Sequence, residues 1–219
     1  MKKYALLLAA LSLAAFAPAQ KGYLLRLRLK QNEVVKYDMA VTSMGMNIDM
    51  GMKLTCTKVA GHQYTLVTTM GSMTMNGKPV PAQQAEQIKK MVVTTVVDDQ
   101  GRTLSTKTTG VPGMGPDSQS TTVPFPAGPV TVGKTWTGTN KVNNMSINTT
   151  YKFVGVKSVG GVQCAMIEST PNGIPGMKLD KPILTAVDLS KGIPIQLIMS
   201  ATVGQGAQTG KMTITMKKV

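Results

Sequence analysis

The stretch Met46-Asn-Ile-Asp-Met-Gly-Met-Lys-Leu-Thr-Cys56 decides how this chain folds. Apolar residues stand at every second position from Met46 to Cys56, with Asn, Asp, Gly, Lys and Thr between them. Because successive side chains of a strand point to opposite faces of a sheet, this alternation predicts a long, half-buried β-strand. Strands of this length are typical of a strongly twisted sheet, a half-barrel or a barrel.

The same pattern returns about 100 residues later in the chain. The matched positions, which lie 99 or 100 residues apart, are Tyr37/Trp136, Met46/Met145, Ile48/Ile147, Lys53/Lys152, Leu54/Phe153, Gly61/Gly161 and Gln63/Gln163. We therefore predict two tandem, related antiparallel β-units, at residues 20–109 and 129–219, joined by a Pro- and Gly-rich linker at 110–128. The alternative is a chance similarity among β-hairpins.

The predicted fold class is mainly β, half-barrel or barrel-like, with long curved strands. Leu25, Leu27 and Leu29 alternate with basic residues and predict a further strand over 23–30. One short amphipathic helix is expected over 82–91, after the Pro-Val-Pro turn, packed against or capping the sheet. Whether the two units form one barrel or two domains is left open by the sequence.

The N-terminus carries an export signal. Met1-Lys2-Lys3 is a positive start, an apolar run extends from Tyr4 to Phe16, and Ala17-Pro18-Ala19 supplies small residues for cleavage before Gln20. Residues 1–19 are therefore predicted to be a signal peptide, and the product to be periplasmic or secreted. The apolar run is too short for a transmembrane anchor, and no later segment approaches about 20 apolar residues.

Two cysteines remain after this signal, and neither belongs to a CxxC motif. An even number of cysteines in an oxidising compartment permits one disulfide. The strand alternation predicts that both thiols face inward. Cys56 and Cys164 are therefore the disulfide candidate.

The chemistry-bearing residues argue against an enzyme. His62 is the only histidine and lies at a predicted turn beside Gly61. Several of the ten carboxylates stand in predicted turns, where Asp bonds backbone rather than substrate. The chain has no phosphate-binding loop and no dinucleotide-binding motif, so no catalytic residues and no cofactors are predicted.

The methionines are the unusual feature: eight of the 17 fall between positions 39 and 75. Methionine at alternate positions is first of all a way to fill a β core. It also suits adaptable apolar binding surfaces, and Met-x-Met spacing suits a soft metal such as Cu(I). The candidate ligand-binding residues are Met46, Met50, Met52, Leu54, Tyr64, Met70, Tyr151 and Phe153, and no metal site is predicted.

The charge of the chain is +14, or +12 once the signal's two lysines are removed. This charge suggests an anionic envelope partner, although a generally basic solvated surface would explain it as well. Few aromatic residues are available for base stacking, so nucleic acid is not predicted. The functional hypotheses are a non-enzymatic exported protein that holds an apolar or amphipathic envelope molecule, a structural or assembly component of the envelope with a basic surface, and a Cu(I)-binding protein. The oligomeric state is left open.

The stretch Pro129-Val-Thr-Val-Gly-Lys-Thr-Trp136 and the hairpin from Asp188 to Gly192 resemble a loose group of exported, Met-rich bacterial β-proteins of unknown function. These motifs specify strands and turns, so the resemblance implies no activity. More coarsely, a long curved sheet with a small helix is similar to the periplasmic carriers that shelter lipoprotein acyl chains. That likeness is one of architecture alone, and the duplication and single helix depart from those carriers' usual pattern.

Overall fold

The computed structural model describes residues 22–110, 123–142, 145–174, 176–205 and 208–219. The predicted signal peptide and its cleavage point before Gln20 lie outside these residues. The strands are β1 (Val34–Ser43), β2 (Met46–Ala60), β3 (Gln63–Met75), β4 (Lys78–Pro79), β5 (Val92–Asp98), β6 (Thr103–Thr109), β7 (Thr135–Val142), β8 (Met145–Val159), β9 (Val162–Pro171), β10 (Met177–Leu179), β11 (Ile183–Asp188), β12 (Pro194–Gln205) and β13 (Gln208–Lys218), and the helix is α1 (Ala82–Lys90).

All 13 strands belong to one antiparallel sheet. Its order is β6-β5-β3-β2-β1-β13-β12-β11-β9-β8-β7, while β4 pairs with β3 and β10 pairs with β12. The predicted mainly-β fold with one short helix is confirmed. The sheet is not closed into a barrel, because β6 and β7 are left as its two edges among the described strands.

The first half of the sheet (β1, β2, β3, β5 and β6) and the second half (β7, β8, β9, β11 and β12) have the same internal order, and β13 lies between them. Tyr37 on β1 pairs with Met52 on β2, and the matching Trp136 on β7 pairs with Tyr151 on β8. Both β2 and β8 are 15 residues long. This correspondence is what a duplication would produce, although a common origin of the halves stays a prediction.

The segment from Gly22 to Lys30 is not a strand of the sheet, contrary to the prediction. It makes a single β-bridge, between Tyr23 and Val130, and runs extended along one face of the sheet, here called the inner face. Its alternation has another cause: Leu25 packs with one buried cluster and Leu27 with another. Backbone bonds from Leu27 to Asp99 and from Arg28 to Lys191 hold it there.

The core on the inner face consists of two clusters. The first-half cluster contains Leu27, Leu29, Val35, Tyr37, Cys56, Tyr64, Leu66, Val97, Ile193 and Met216. The second-half cluster contains Leu25, Phe125, Val130, Tyr151, Phe153, Ala165, Ile167 and Val187. Phe125 comes from the stretch predicted as linker, so the described end of that stretch is part of the core.

The predicted Asp turns are present in both halves, where one follows β5 and the other follows β11. Asp98 is buried and accepts hydrogen bonds from the backbone N–H groups of Gln100 and Arg102. Asp188 is likewise buried and accepts bonds from Ser190 and the backbone of Lys191. These carboxylates cap turns, as predicted for Asp in such positions.

The two cysteines of the predicted disulfide, Cys56 and Cys164, are both buried, and neither is disulfide-bonded in this structure. Cys56 lies in the first-half cluster of the inner face. On β9, however, Ala165 and Ile167 face inward, so Cys164 points to the opposite face, where it packs with Ala186 and Ile195. The prediction that both thiols face inward was wrong for Cys164, and burial raises the pKa of each thiol.

The helix α1 packs against β3, and none of its residues is buried. It begins after Pro81 and ends at Lys90, close to the predicted 82–91. Among the described residues, no helix is long and apolar enough to cross a membrane.

Candidate functional site

Four methionines from four adjacent strands form a row across the inner face of the first half. Met39 on β1 pairs with Met216 on β13 and with Met50 on β2, and Met50 pairs with Met73 on β3. Directly opposed residues on neighbouring antiparallel strands point to the same face, with Cβ atoms about 5 Å apart. Met216 belongs to the first-half cluster, so the whole methionine row (Met216, Met39, Met50 and Met73) lies on the inner face.

The methionine row is only partly covered. Met216 is buried, whereas Met39, Met50 and Met73 are each half-buried. The neighbouring inner-face residues Met52 and Met70 are half-buried as well. A contiguous apolar surface that remains partly exposed is typical of a binding site, and methionine adapts its shape to what it contacts.

A small cavity lies below the methionine row, between it and the N-terminal segment. Its volume is about 40 Å³, which is room for a water molecule or a terminal methyl group. We call it the apolar cavity; its lining residues are Leu27, Tyr37, Met52, Leu54, Leu66, Thr68, Gly192, Ile193, Pro194 and Met216. Met216 therefore belongs both to the row and to the wall of this cavity.

Tyr37 is the unusual member of the cavity wall. Its side chain is 5% exposed, and its hydroxyl is buried without a hydrogen-bond partner among the described residues. Burial also raises the pKa of Tyr37 well above the usual tyrosine range, so the hydroxyl stays neutral. Tyr64 provides the contrast, because its hydroxyl donates a hydrogen bond of 2.9 Å to the carbonyl oxygen of Leu27.

The eight residues predicted to bind a ligand do not form one site. Met50 is in the methionine row, Met52 and Leu54 line the apolar cavity, and Met70 pairs with Met52 beside them. Met46 is 47% exposed at the hairpin end, and Tyr64 is buried in the first-half cluster. Tyr151 and Phe153 fill the second-half cluster, apart from the row and the cavity.

Three members of the methionine row, Met39, Met73 and Met216, are not among the predicted ligand-binding residues. Met39 could have been found, because a two-residue turn at Met44-Gly45 places it opposite Met50. Met73 could not, because a β-bulge between Met50 and Met52 shifts the β2–β3 register. Met216 stands more than 170 positions after Met39, and no local pattern relates two such distant residues.

A second, larger cleft lies between the two edge strands. It measures about 640 Å³ and is lined by residues 100–106 around β6, by 136–139 on β7 and by 124–126. Its walls combine Thr, Ser, Gln and Arg102 side chains with the apolar side chains of Leu104, Pro124, Phe125, Pro126 and Trp136. The Trp136 indole N–H donates to the carbonyl oxygen of Pro124 at 2.7 Å, so this side chain already has a structural role.

None of the residues of the methionine row or of the apolar cavity wall is ionic, but Lys218 on β13 stands directly opposite Tyr37. His62, whose side chain is 88% exposed, contacts the Asp99 carboxylate at 3.0 Å on the surface. Arg26, predicted to be part of a basic face, donates to the carbonyl oxygens of Leu25 and Pro126 instead. No cluster of three or more His, Cys, Asp or Glu side chains occurs in the part of the chain that is described.

Comparison with known proteins adds three distant structural likenesses. They are a domain assigned to outer membrane lipoprotein sorting from Vibrio parahaemolyticus (8% identity, TM-score 0.34, 84% of this chain and 82% of that one), a DUF1329 family protein from Desulfovibrio piger (8%, 0.32, 85% and 82%) and a LolA superfamily protein from Nitrosomonas europaea (7%, 0.30, 88% and 86%). No family model and no curated protein sequence matches the chain. At such low scores, these likenesses say nothing about what this chain binds.

Proposed function

We propose that this protein is a non-enzymatic binding protein that holds an apolar or amphipathic molecule on the inner face of its first half. The observation that carries the proposal is the methionine row, in which Met39, Met50 and Met73 meet across three strands and are all half-buried. In a fully packed hydrophobic core these side chains would be buried. Their exposure leaves apolar area that a ligand can remove from water.

The surroundings of the methionine row support an apolar ligand. The apolar cavity continues the row toward the N-terminal segment, and its wall carries no ionic side chain. A charged group enclosed by this wall would lose its hydration, and no lining residue would neutralise it. The apolar part of the ligand is therefore expected against the row and the cavity.

A second candidate function is Cu(I) binding, because the row brings thioethers from neighbouring strands side by side. Thioethers are soft ligands that suit Cu(I). The two functions make different demands on Met50: an apolar ligand needs its bulk, whereas Cu(I) needs its sulfur. Replacement of Met50 by Leu or by Thr therefore separates them.

The test is fluorescence titration of the mature protein with N-phenyl-1-naphthylamine, alongside anaerobic Cu(I) titration. We expect saturable dye binding that Met50→Thr weakens by about tenfold, through loss of apolar contact area, and that Met50→Leu leaves unchanged. Threonine stands at the matching position 149 of the second half and is compatible with a strand. For an apolar site, we expect no stoichiometric Cu(I) binding.

The matched control is Met166→Thr, because Met166 is also half-buried but packs in the cluster around Cys164 on the opposite face. It should leave the dye affinity unchanged. Equal weakening by both variants, or no saturable dye binding by the unmodified protein, would contradict the proposal. Stoichiometric Cu(I) binding that Met50→Leu abolishes would replace it with the metal function. A structural or assembly role predicts that neither probe binds.

A further inference from the structure

We propose that Tyr37 is the hydrogen-bonding anchor of this binding site, and that the bound molecule carries a neutral oxygen, a hydroxyl or an ester carbonyl, attached to an aliphatic chain. The inference rests on the proposed function and specifies its ligand class. It starts from Tyr37, a residue of the apolar cavity wall, whose buried hydroxyl has no hydrogen-bond partner in the part of the chain that the structure describes.

An unpaired buried hydroxyl is uncommon, because the large majority of buried side-chain polar atoms have a partner. Among the described residues, only Tyr37 and Thr108 carry such an atom. Thr108 lies on the edge strand β6, away from the apolar cavity. Among the described residues that line the cavity, Tyr37 therefore carries the one fully buried side-chain polar atom without a hydrogen-bond partner.

The chemistry of the cavity wall selects the kind of oxygen. Tyr37 and Thr68 supply the only side-chain oxygens among its ten lining residues, and no lining residue is charged. A carboxylate enclosed by this wall would find no cation among the lining residues, which is unfavourable; Lys218 stands opposite Tyr37 but is not part of the wall. A neutral hydroxyl or carbonyl oxygen can bond to the phenol at no such cost, and the attached chain can then extend along the methionine row.

The cavity can enlarge to accept such a group. At about 40 Å³ it holds little more than a water molecule, but Met52 and Met216 form part of its wall. Methionine side chains have three rotatable bonds and repack readily around a ligand. Met216 also joins the cavity to the methionine row, so its displacement would connect the two spaces.

The test compares two competitors of equal heavy-atom count, hexan-1-ol and n-heptane, in displacing N-phenyl-1-naphthylamine. Tyr37→Phe should weaken hexan-1-ol by about fivefold, as expected for loss of one hydrogen bond, and leave n-heptane unchanged. The matched control is Tyr64→Phe, whose hydroxyl is satisfied within the protein by Leu27, and it should leave the affinities for both competitors unchanged.

A second measurement uses the unmodified protein and does not depend on the folding of a variant. The tyrosine Raman doublet reports the hydrogen bonding of phenol groups, and we expect it to change with saturating hexan-1-ol but not with n-heptane. An unchanged doublet, or equal effects of Tyr37→Phe on both competitors, would overturn the anchor while dye binding at the row leaves the proposed function standing. Absence of dye binding would overturn both proposals.

Discussion

The two halves of the sheet share a strand order but complete their inner faces differently. In the second half, the space beside β7 is taken by Pro124 and Phe125, and Trp136 stacks on Tyr151 with ring centroids 5.7 Å apart. In the first half, Met39 and Met50 of the methionine row are only half-buried, and the apolar cavity lies below them. The same framework thus carries a covering segment over Gly138 in one half and partly exposed methionines at the matching positions of the other.

The residues at matching positions explain this difference. Met39 corresponds to Gly138 and Met50 to Thr149 at the 99-residue offset. Gly138 leaves room for Pro124, because a Cβ atom at this position would lie 2.7 Å from the Pro124 Cγ. Small residues on the second half therefore admit a covering segment, whereas long flexible thioethers on the first half occupy that space themselves. Binding is expected where the chain has not supplied its own cover.

The largest loss of stability should come from truncating a buried side chain of the second-half cluster. Phe153 is fully buried in the second-half cluster, so Phe153→Ala should lower the free energy of unfolding by about 3–5 kcal/mol. Met50→Ala, in the partly exposed row, should cost about 1 kcal/mol, because much of its side chain already contacts water. Urea unfolding of both variants measures the difference. Equal losses would mean that the first half is packed as tightly as the second.

A smaller loss of stability should come from adding a methyl group at a closely packed position on β7. Gly138→Ala places a Cβ 2.7 Å from Pro124 and 3.2 Å from the Tyr151 ring, and such overpacking should cost about 1–3 kcal/mol. The control is Gly51→Ala in the first half, where the nearest atom to a Cβ is the Ser72 hydroxyl at 3.7 Å. The free energy of unfolding of the Gly51→Ala variant should stay within about 0.5 kcal/mol of that of the unmodified protein. A tolerated Gly138→Ala would contradict the close packing described for β7.

The smallest effect concerns the ion pair that joins the halves, between Glu33 before β1 and Lys191 in the turn before β12. Burial raises the pKa of Glu33, but bonds from Lys191 and the Lys30 backbone, with both lysine charges, outweigh this and lower it overall. A lowered pKa stabilises the fold above the unfolded-state value, and this contribution is lost as pH falls through the folded-state value. Glu33→Gln should therefore cost less than about 1 kcal/mol at pH 7.

The difference between this variant and the unmodified protein should shrink as pH falls below about 4.3, the unfolded-state pKa, and disappear below the lower folded-state pKa, where the folded carboxyl is protonated as well. Thermal unfolding across pH 3–8 measures it. The matched control is Glu86→Gln, since Glu86 pairs with Lys89 on the exposed helix α1 and should have no measurable effect. A Glu33→Gln difference that persists at low pH would show that the ion pair is not its cause.

Features that depend on residues close together in the chain could be predicted from the sequence, whereas features that depend on distant residues could not. The alternation from Met46 to Cys56, the Asp turns and the helix after Pro81 were predicted correctly, because each depends on neighbouring residues. The predicted inward orientation of Cys164 was wrong, because a β-bulge between Phe153 and Gly155 shifts the register of β8 against β9. The segment 23–30 has a strand's alternation but contacts two clusters instead of a neighbouring strand.

The sequence by itself determined the β architecture and the supply of methionines, since period-two patterning and turn residues act locally. Only the tertiary structure decided that the sheet is open, that Met216 joins Met39, and that Pro124 and Phe125 fill the second half. These outcomes depend on pairing between strands distant in the chain and on which space is left after the core is packed. For the same reason, the unpartnered Tyr37 hydroxyl became apparent only once its neighbours were in place.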